Sequence, residues 1–278
     1  MPQASDPSLT RILTEEINRV LKESSRATLV TLIESRQMVG AKILVDDHGR
    51  RVGSFGNPAL DEAVVRCAEA FLATPAEARI FKIEDFALSP NSLPDGRILC
   101  ERIEPEPCLI VCGAGHVGAS LVRLARVLGY RTVLIDDRAD FVTRERFPDE
   151  GIELVIAKSW AAALHDAMGS RGNISVAVVT RGHSEDEECL RAVLDARTDY
   201  VGLIGSRRRT NIVLDRLRES GSDESLLREV RAPIGLDIGA ISPEEVALAI
   251  LAEIVAHRRG ATGSSLSMWR RVEVGNQK

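Results

Sequence analysis

The chain has 278 residues, 44% of them hydrophobic and 28% charged, a composition that supports a sizeable core and argues against wholesale disorder. Its length suggests two domains. A formal net charge of −5 with both signs mixed, and only 4% aromatic residues, argue against general nucleic-acid affinity and base-stacking platforms.

After a polar tail, a helix is expected from Ser8 or Thr10 to about Glu23, with Leu9, Ile12, Leu13, Ile17, Val20 and Leu21 on one face. Residues 27–33 and 40–45 read as strands. The turn Asp46-Asp47-His48-Gly49-Arg50 would make a hairpin of the segments that flank it. Asn57 and Pro58 supply the cap and first turn of a helix to about Leu72. Residues 80–86 and 98–103 alternate apolar and polar side chains, the pattern of half-exposed antiparallel strands. Residues 89–96 form a loop between them. Glu104-Pro105-Glu106-Pro107 reads as a linker, which divides the chain into an α+β domain, 1–104, and a second domain, 108–278.

The second domain opens with LIVCGAGHVGASLVRLARVLGYRTVLIDDR, residues 109–138: strand, glycine turn, helix, strand, acid. Gly113 permits a tight turn, Gly115 lets backbone approach a pyrophosphate, and Gly118 lets the helix pack against the strand. Ala114, His116 and Val117 complete the turn, and Gly129 stops the helix. The helix N-terminus offers unpaired N–H groups to phosphates. Asp136, about 20 residues on, with Asp137 beside it, is placed to accept from ribose hydroxyls. The bland alternative is a βαβ unit that keeps its glycines for packing and binds nothing. Strands then alternate with helices: 154–157, 159–168, 175–179, 184–195, 201–204, 207–218 and a last helix 243–257. That rhythm predicts an α/β fold, a Rossmann-like parallel sheet with helices on both faces. Ser184–Glu187 and Ser242–Glu245 match capping boxes.

Ligands of such sheets bind beyond the carboxyl ends of the strands. Two further segments fall there. In Thr180-Arg181-Gly182-His183, Arg181 and His183 read either as ligand contacts, with His183 able to move a proton, or as surface loop residues. In Gly205-Ser206-Arg207-Arg208-Arg209, three arginines open a helix whose end is already positive. Either an anion is held by Arg207 and the amides near Ser206, or the side chains are merely solvated. Asp237 lines the same cleft or hydrogen-bonds its own turn. His48, His165 and His257 read as isolated surface residues. No HExxH pair, GxSxG elbow or cysteine with a sequence-adjacent base is present, so no metal ligands and no catalytic residues are assigned. Five scattered cysteines without a CxxC step argue against a disulfide framework or a zinc knuckle. Cys108 and Cys112 read as small core hydrophobes. No apolar leader and no membrane-length apolar run are seen, so a cytoplasmic, non-membrane protein is expected.

The glycine segment, followed in order by VVTRGHSEDEECL, YVGLIGSRRR and APIGLDIGAISPEEVALAILAEIVA, resembles the C-terminal domain of the XdhC/CoxI family. Those proteins are accessory factors of xanthine-dehydrogenase and carbon-monoxide-dehydrogenase type molybdoenzymes. The resemblance covers nearly all of residues 108–258. ATLV and GAKILVDDHGRRVGSFGN resemble the family's first domain more loosely. The resemblance implies a homodimer that carries molybdenum cofactor (molybdopterin) during sulfuration, with a molybdoenzyme and a cysteine desulfurase as partners. The family's N-domain cysteines, its favoured cofactor thiolates, are replaced here: Gly53-Ser54-Phe55-Gly56-Asn57 and Pro94-Asp95-Gly96 stand at their places, and Glu34-Ser35-Arg36-Gln37 at a usual serine-proline step. Cys67 and Cys100 lie nearby but off the motif positions. Read from the residues alone, the same fingerprint fits an NAD(P)-dependent oxidoreductase, with Asp136 favouring NAD and His183 as proton donor, or a nucleotide-sensing regulatory protein without turnover.

Overall fold

In the computed structural model, residues 7–36, 38–87, 95–169, 172–196 and 198–266 are described. The first unit comprises α1 (Pro7–Lys22), β1 (Ala27–Glu34), β2 (Lys42–Asp46), β3 (Arg51–Gly53), α2 (Pro58–Leu72), β4 (Ala78–Lys82) and β5 (Arg97–Ile103). Its strands form an antiparallel sheet in the order β3-β2-β1-β5-β4. Side chains alternate across it. Val30 and Leu32 of β1 and Ile43 and Val45 of β2 face Leu60, Val64, Ala68 and Phe71 of α2. On the other face, Ala27 and Leu44 pack against Leu13 and Val20 of α1. Asn57 caps α2 through Ala59 N–H and Leu60 N–H, as its sequence suggests, and the expected hairpin joins β2 to β3.

One strand is shorter than its alternation implies. β4 ends at Lys82, and Ile83–Asp85 turn as a 3₁₀ segment. Ile80 on this edge strand is 55% exposed, whereas Ile83 is fully buried and donates to Gly96 O. Sinking Ile83 into the core requires the chain to leave the pleat. Most of the expected loop at 89–96 lies outside the described residues.

The second unit comprises β6 (Cys108–Cys112), α3 (His116–Val127), β7 (Arg131–Asp136), β8 (Ile152–Ile156), α4 (Trp160–Met168), β9 (Ile174–Val178), α5 (His183–Leu194), β10 (Tyr200–Leu203), α6 (Arg207–Glu219), α7 (Glu224–Glu229) and α8 (Pro243–Arg258). Its parallel strands run β10-β9-β6-β7-β8, so the chain reverses direction across the sheet between β6 and β9. This is the α/β, helix-covered sheet expected from the sequence. β6 is buried along its whole length because both faces are covered. Leu109 and Val111 meet Leu121 and Val122 of α3 and Ile250 of α8. Ile110 and Cys112 meet Leu164 of α4, Cys189 and Leu190 of α5 and Val213 of α6. Cys108 and Cys112 are core residues, as their apolar setting suggests.

Gly129, at φ +77°, follows the last turn of α3 as the chain reverses, a conformation that favours glycine. Ser242 and Glu245 form the expected capping box of α8. The box expected at Ser184–Glu187 does not form. α5 starts at His183 with Gly182 as cap residue, because Asp186 turns inward while Glu187 pairs with Arg216 at 2.9 Å. The six-residue helix α7 is too short to leave a periodic signature in the sequence. After it, Arg231–Ile234 hydrogen-bonds along β10 through Val201 and Leu203. The Glu104–Pro107 segment is tied to the second unit by Asn173 Nδ2–H donating to Pro105 O at 3.1 Å and by the Arg258–Glu104 pair at 2.8 Å.

Candidate functional site

The three glycines of the turn do not stand there for the same reason. Gly113 has φ +118°, and a Cβ there would lie 2.5 Å from Val179 O. A Cβ on Gly118 would lie 1.8 Å from Gly113 O. A Cβ on Gly115 would meet nothing within 4 Å. The first two positions are glycine because the fold leaves no room. The third faces open space, so packing does not explain it. Gly115 is the cap residue of α3 and no side chain caps that helix, which leaves its first amides available. His116 is exposed, and Val117 is half-buried.

Asp136 and Asp137 play different roles from each other. Asp136 is 1% exposed. Its Oδ2 accepts from Ala114 N–H at 2.6 Å and from Arg138 Nη2–H at 2.9 Å. Its Oδ1 accepts from Arg138 N–H at 3.0 Å and Nε–H at 2.8 Å. Burial pushes this carboxyl up, but the bonds from Arg138 and from Ala114 N–H outweigh burial and hold it below the usual range. The ribose role expected of Asp136 therefore meets a carboxylate already engaged within the protein. The acid open to a ligand at this strand end is Asp137, which is exposed. Ala114 is clamped on its other side too, where its carbonyl accepts from Arg146 Nη2–H at 3.3 Å. The Arg138 guanidinium stacks 3.6 Å from the centre of the Phe141 ring.

The segments after β9 and β10 meet through a buried polar group. Asp186, fully buried, accepts from Thr180 Oγ1–H at 2.5 Å and from Arg209 Nη2–H at 2.7 Å. Burial pushes its carboxyl above the usual range in spite of both partners. Ser206 caps α6 through Arg209 N–H. Of the three arginines, Arg209 turns inward. Arg207 and Arg208 stay exposed without an ion-pair partner among the described residues. Removing Arg209 strands a buried carboxylate. Arg209→Met is expected to cost about 2 kcal/mol at pH 7, less than a fully enclosed pair because Arg209 is partly exposed. The loss should shrink as pH falls, because burial raises the Asp186 carboxyl and it takes up a proton sooner than an ordinary carboxylate; chemical denaturation at pH 7 and under progressively more acid conditions checks this.

Arg181 pairs with Asp137 at 2.8 Å and Glu185 at 3.5 Å. His183 opens α5 half-buried, and its Nδ1 has no hydrogen-bond partner among the described residues. Asp237 is exposed and makes no hydrogen bond to its turn; Gly235 N–H there donates to Glu253 at 2.8 Å instead. His257 is not isolated, since its Nε2 lies 2.8 Å from Asp199 O. Gly113–Gly118, Asp137, Arg181, His183, Ser206 and Arg207 thus all fall at the carboxyl ends of the parallel strands. Arg138, Arg146, Thr180, Asp186 and Arg209 support the site in roles that sequence reasoning did not assign to them. Thr180 and Arg209 lie in the two segments singled out from the sequence, but their pairing with Asp186 left no local signal, and of the others only Arg138 had one, its adjacency to the acid pair. A cleft of about 1110 Å³, lined in part by Arg26, Arg102, Glu104, Asp199 and Arg258, lies between the two units at the opposite, amino ends of β6 and β9.

The segments gathered at the carboxyl ends of the strands offer amides and guanidinium groups, the donor set for a phosphate. Among the described residues no three His, Cys, Asp or Glu side chains lie close enough to hold an ion. Cys100, Cys108, Cys112 and Cys189 are buried. Among the described residues no helix is long and apolar enough to cross a membrane.

Residues 109–254 match the family model described as XdhC Rossmann domain, and residues 20–83 match that of the XdhC and CoxI family. The protein YqeB of Escherichia coli K12 is 33% identical over 157 residues, 56% of this chain and 28% of that protein. A protein of Bacillus subtilis described as a probable xanthine dehydrogenase subunit is 30% identical over 165 residues, 57% of this chain and 45% of that protein. The chain therefore spans less than half the length of these curated relatives. A solved structure described as a xanthine dehydrogenase from Bacillus halodurans shares the fold, with a TM-score of 0.66 and 23% identity over 92% of this chain and 68% of that one.

Proposed function

This chain belongs to the XdhC and CoxI family, and from that premise we propose that it serves a xanthine-dehydrogenase-type molybdoenzyme as an accessory factor, binding the phosphate end of a cofactor and handing it on. The observation that carries this reading is the uncapped start of α3 beneath an open Gly115. A phosphate of molybdopterin or of a nucleotide would rest on the amides that follow Gly115. Arg181 and Arg207 would add charge, and Ser206 and His183 would line the rim. A molybdopterin bound there would bring its own metal chemistry. The buried cysteines of this unit supply no thiolate to the turn, so the protein's part is to hold the phosphate and orient the group. A cysteine desulfurase and a second copy of the chain are the further partners this reading brings.

The test is mass spectrometry of small molecules retained by the purified protein and by Gly115→Asp, which sets a carboxylate over the amides. The expected result is a phosphate-bearing cofactor on the parent protein and none on the variant. Equal retention by both would remove the turn from the account. A second reading, an NAD(P)-dependent oxidoreductase, draws on the exposed Asp137 beside the turn. It requires turnover-dependent change in nicotinamide absorbance, which an accessory or regulatory protein would not give.

A further inference from the structure

In the sheet, β7 and β9 flank β6 on either side. Asp137 directly follows β7, and Arg181 lies in the segment after β9. Their 2.8 Å ion pair therefore bridges over the carboxyl end of β6, from which the glycine turn springs. Both side chains are accessible, Arg181 at 49% and Asp137 at 34% exposure. Arg181 has Glu185 as a second carboxylate at 3.5 Å, and Asp137 has Arg138 Nε at 3.9 Å. Asp136 cannot substitute for Asp137, because its oxygens are engaged by Ala114 and Arg138.

We propose that Arg181 and Asp137 form a latch across the turn that a ribonucleoside diphosphate opens, Arg181 passing to the phosphates and Asp137 to the ribose hydroxyls. The proposal rests on the reading that the turn holds phosphate. Exposed ion pairs are weak, so the latch yields readily to an anion that offers a guanidinium two oxygens at once. Once released, Asp137 is a carboxylate beside incoming negative charge, which is unfavourable unless hydroxyl donors reach it. A vicinal diol supplies them; bare pyrophosphate does not. A 2′-phosphate in that place repels the carboxylate. The latch thus selects ribonucleotides and keeps inorganic phosphates out of the turn.

The experiment is titration calorimetry on the full chain with ADP, 2′,3′-dideoxy-ADP and pyrophosphate, for the parent, Asp137→Ala, Arg181→Gln and Gly115→Asp, with circular dichroism to check folding. In the parent protein ADP should bind about tenfold more tightly than the dideoxy analogue, the range for hydrogen bonds to a charged group. Asp137→Ala should erase that preference and tighten pyrophosphate about fivefold, as the competing pair is lost. Arg181→Gln should weaken ADP and its analogue alike. If the parent binds ADP and Gly115→Asp abolishes it while Asp137→Ala changes neither preference nor pyrophosphate affinity, the latch is refuted and the phosphate site stands. If no phosphate ligand binds the parent, both fall.

Discussion

Gly118→Ala is expected to destabilise the parallel-sheet unit by about 3 kcal/mol or more, near the upper end for overpacking, with a fall in melting temperature of roughly 6–12 °C. The added methyl would lie 1.8 Å from the carbonyl oxygen of Gly113. That neighbour is backbone, not the far end of a side chain, so no rotamer relieves the clash. α3 must move off β6, or the glycine turn must distort. The contrast is Gly115→Ala, where a Cβ meets nothing within 4 Å and φ is −65°. That variant should melt within about 1 °C of the parent, as surface substitutions do. Thermal unfolding followed by circular dichroism separates the two. Equal melting of both variants would show that α3 does not pack as described.

Asp136→Ala should have the second large effect, about 3 kcal/mol at neutral pH. It removes the partner of Arg138 and the acceptor of Ala114 N–H together. The loss depends on pH in a definite direction. The native carboxyl titrates below its unfolded value, which is about 3.9. The stability it contributes is whole above that unfolded value and is lost as pH falls through the native one. The gap in unfolding free energy between parent and Asp136→Ala should therefore be constant from pH 7 to about pH 5 and narrow below about pH 4. A gap that widened on acidification would mean that Asp136 is not held as an anion.

These two variants also mark what the sequence reveals and what it hides. The packing roles of Gly113 and Gly118 can be read from spacing alone, since a strand-turn-helix with a close backbone approach admits few residues at those two positions. The parallel direction of the strands likewise follows from the alternation of elements. The division of labour between Asp136 and Asp137 cannot be read. In a strand, adjacent side chains point to opposite faces, and which one meets Ala114 N–H depends on register. Arg146 and Asp186 are hidden for another reason. Each acts across a gap, Arg146 on Ala114 at 32 positions' separation and Asp186 on Arg209 at 23, and no local pattern encodes such a contact. The Ser184–Glu187 motif is misleading because inward burial of Asp186 fixes the helix start instead of the cap.

In the proposed function, phosphate rests on the bare amides at the start of α3. An NMR titration of the full chain with ADP, following backbone amide shifts, tests it most directly. The earliest and largest changes should fall on Gly115, His116 and Val117, followed by Arg181. Changes confined to the interdomain cleft around Arg26, Arg102 and Arg258, with the turn unmoved, would contradict it.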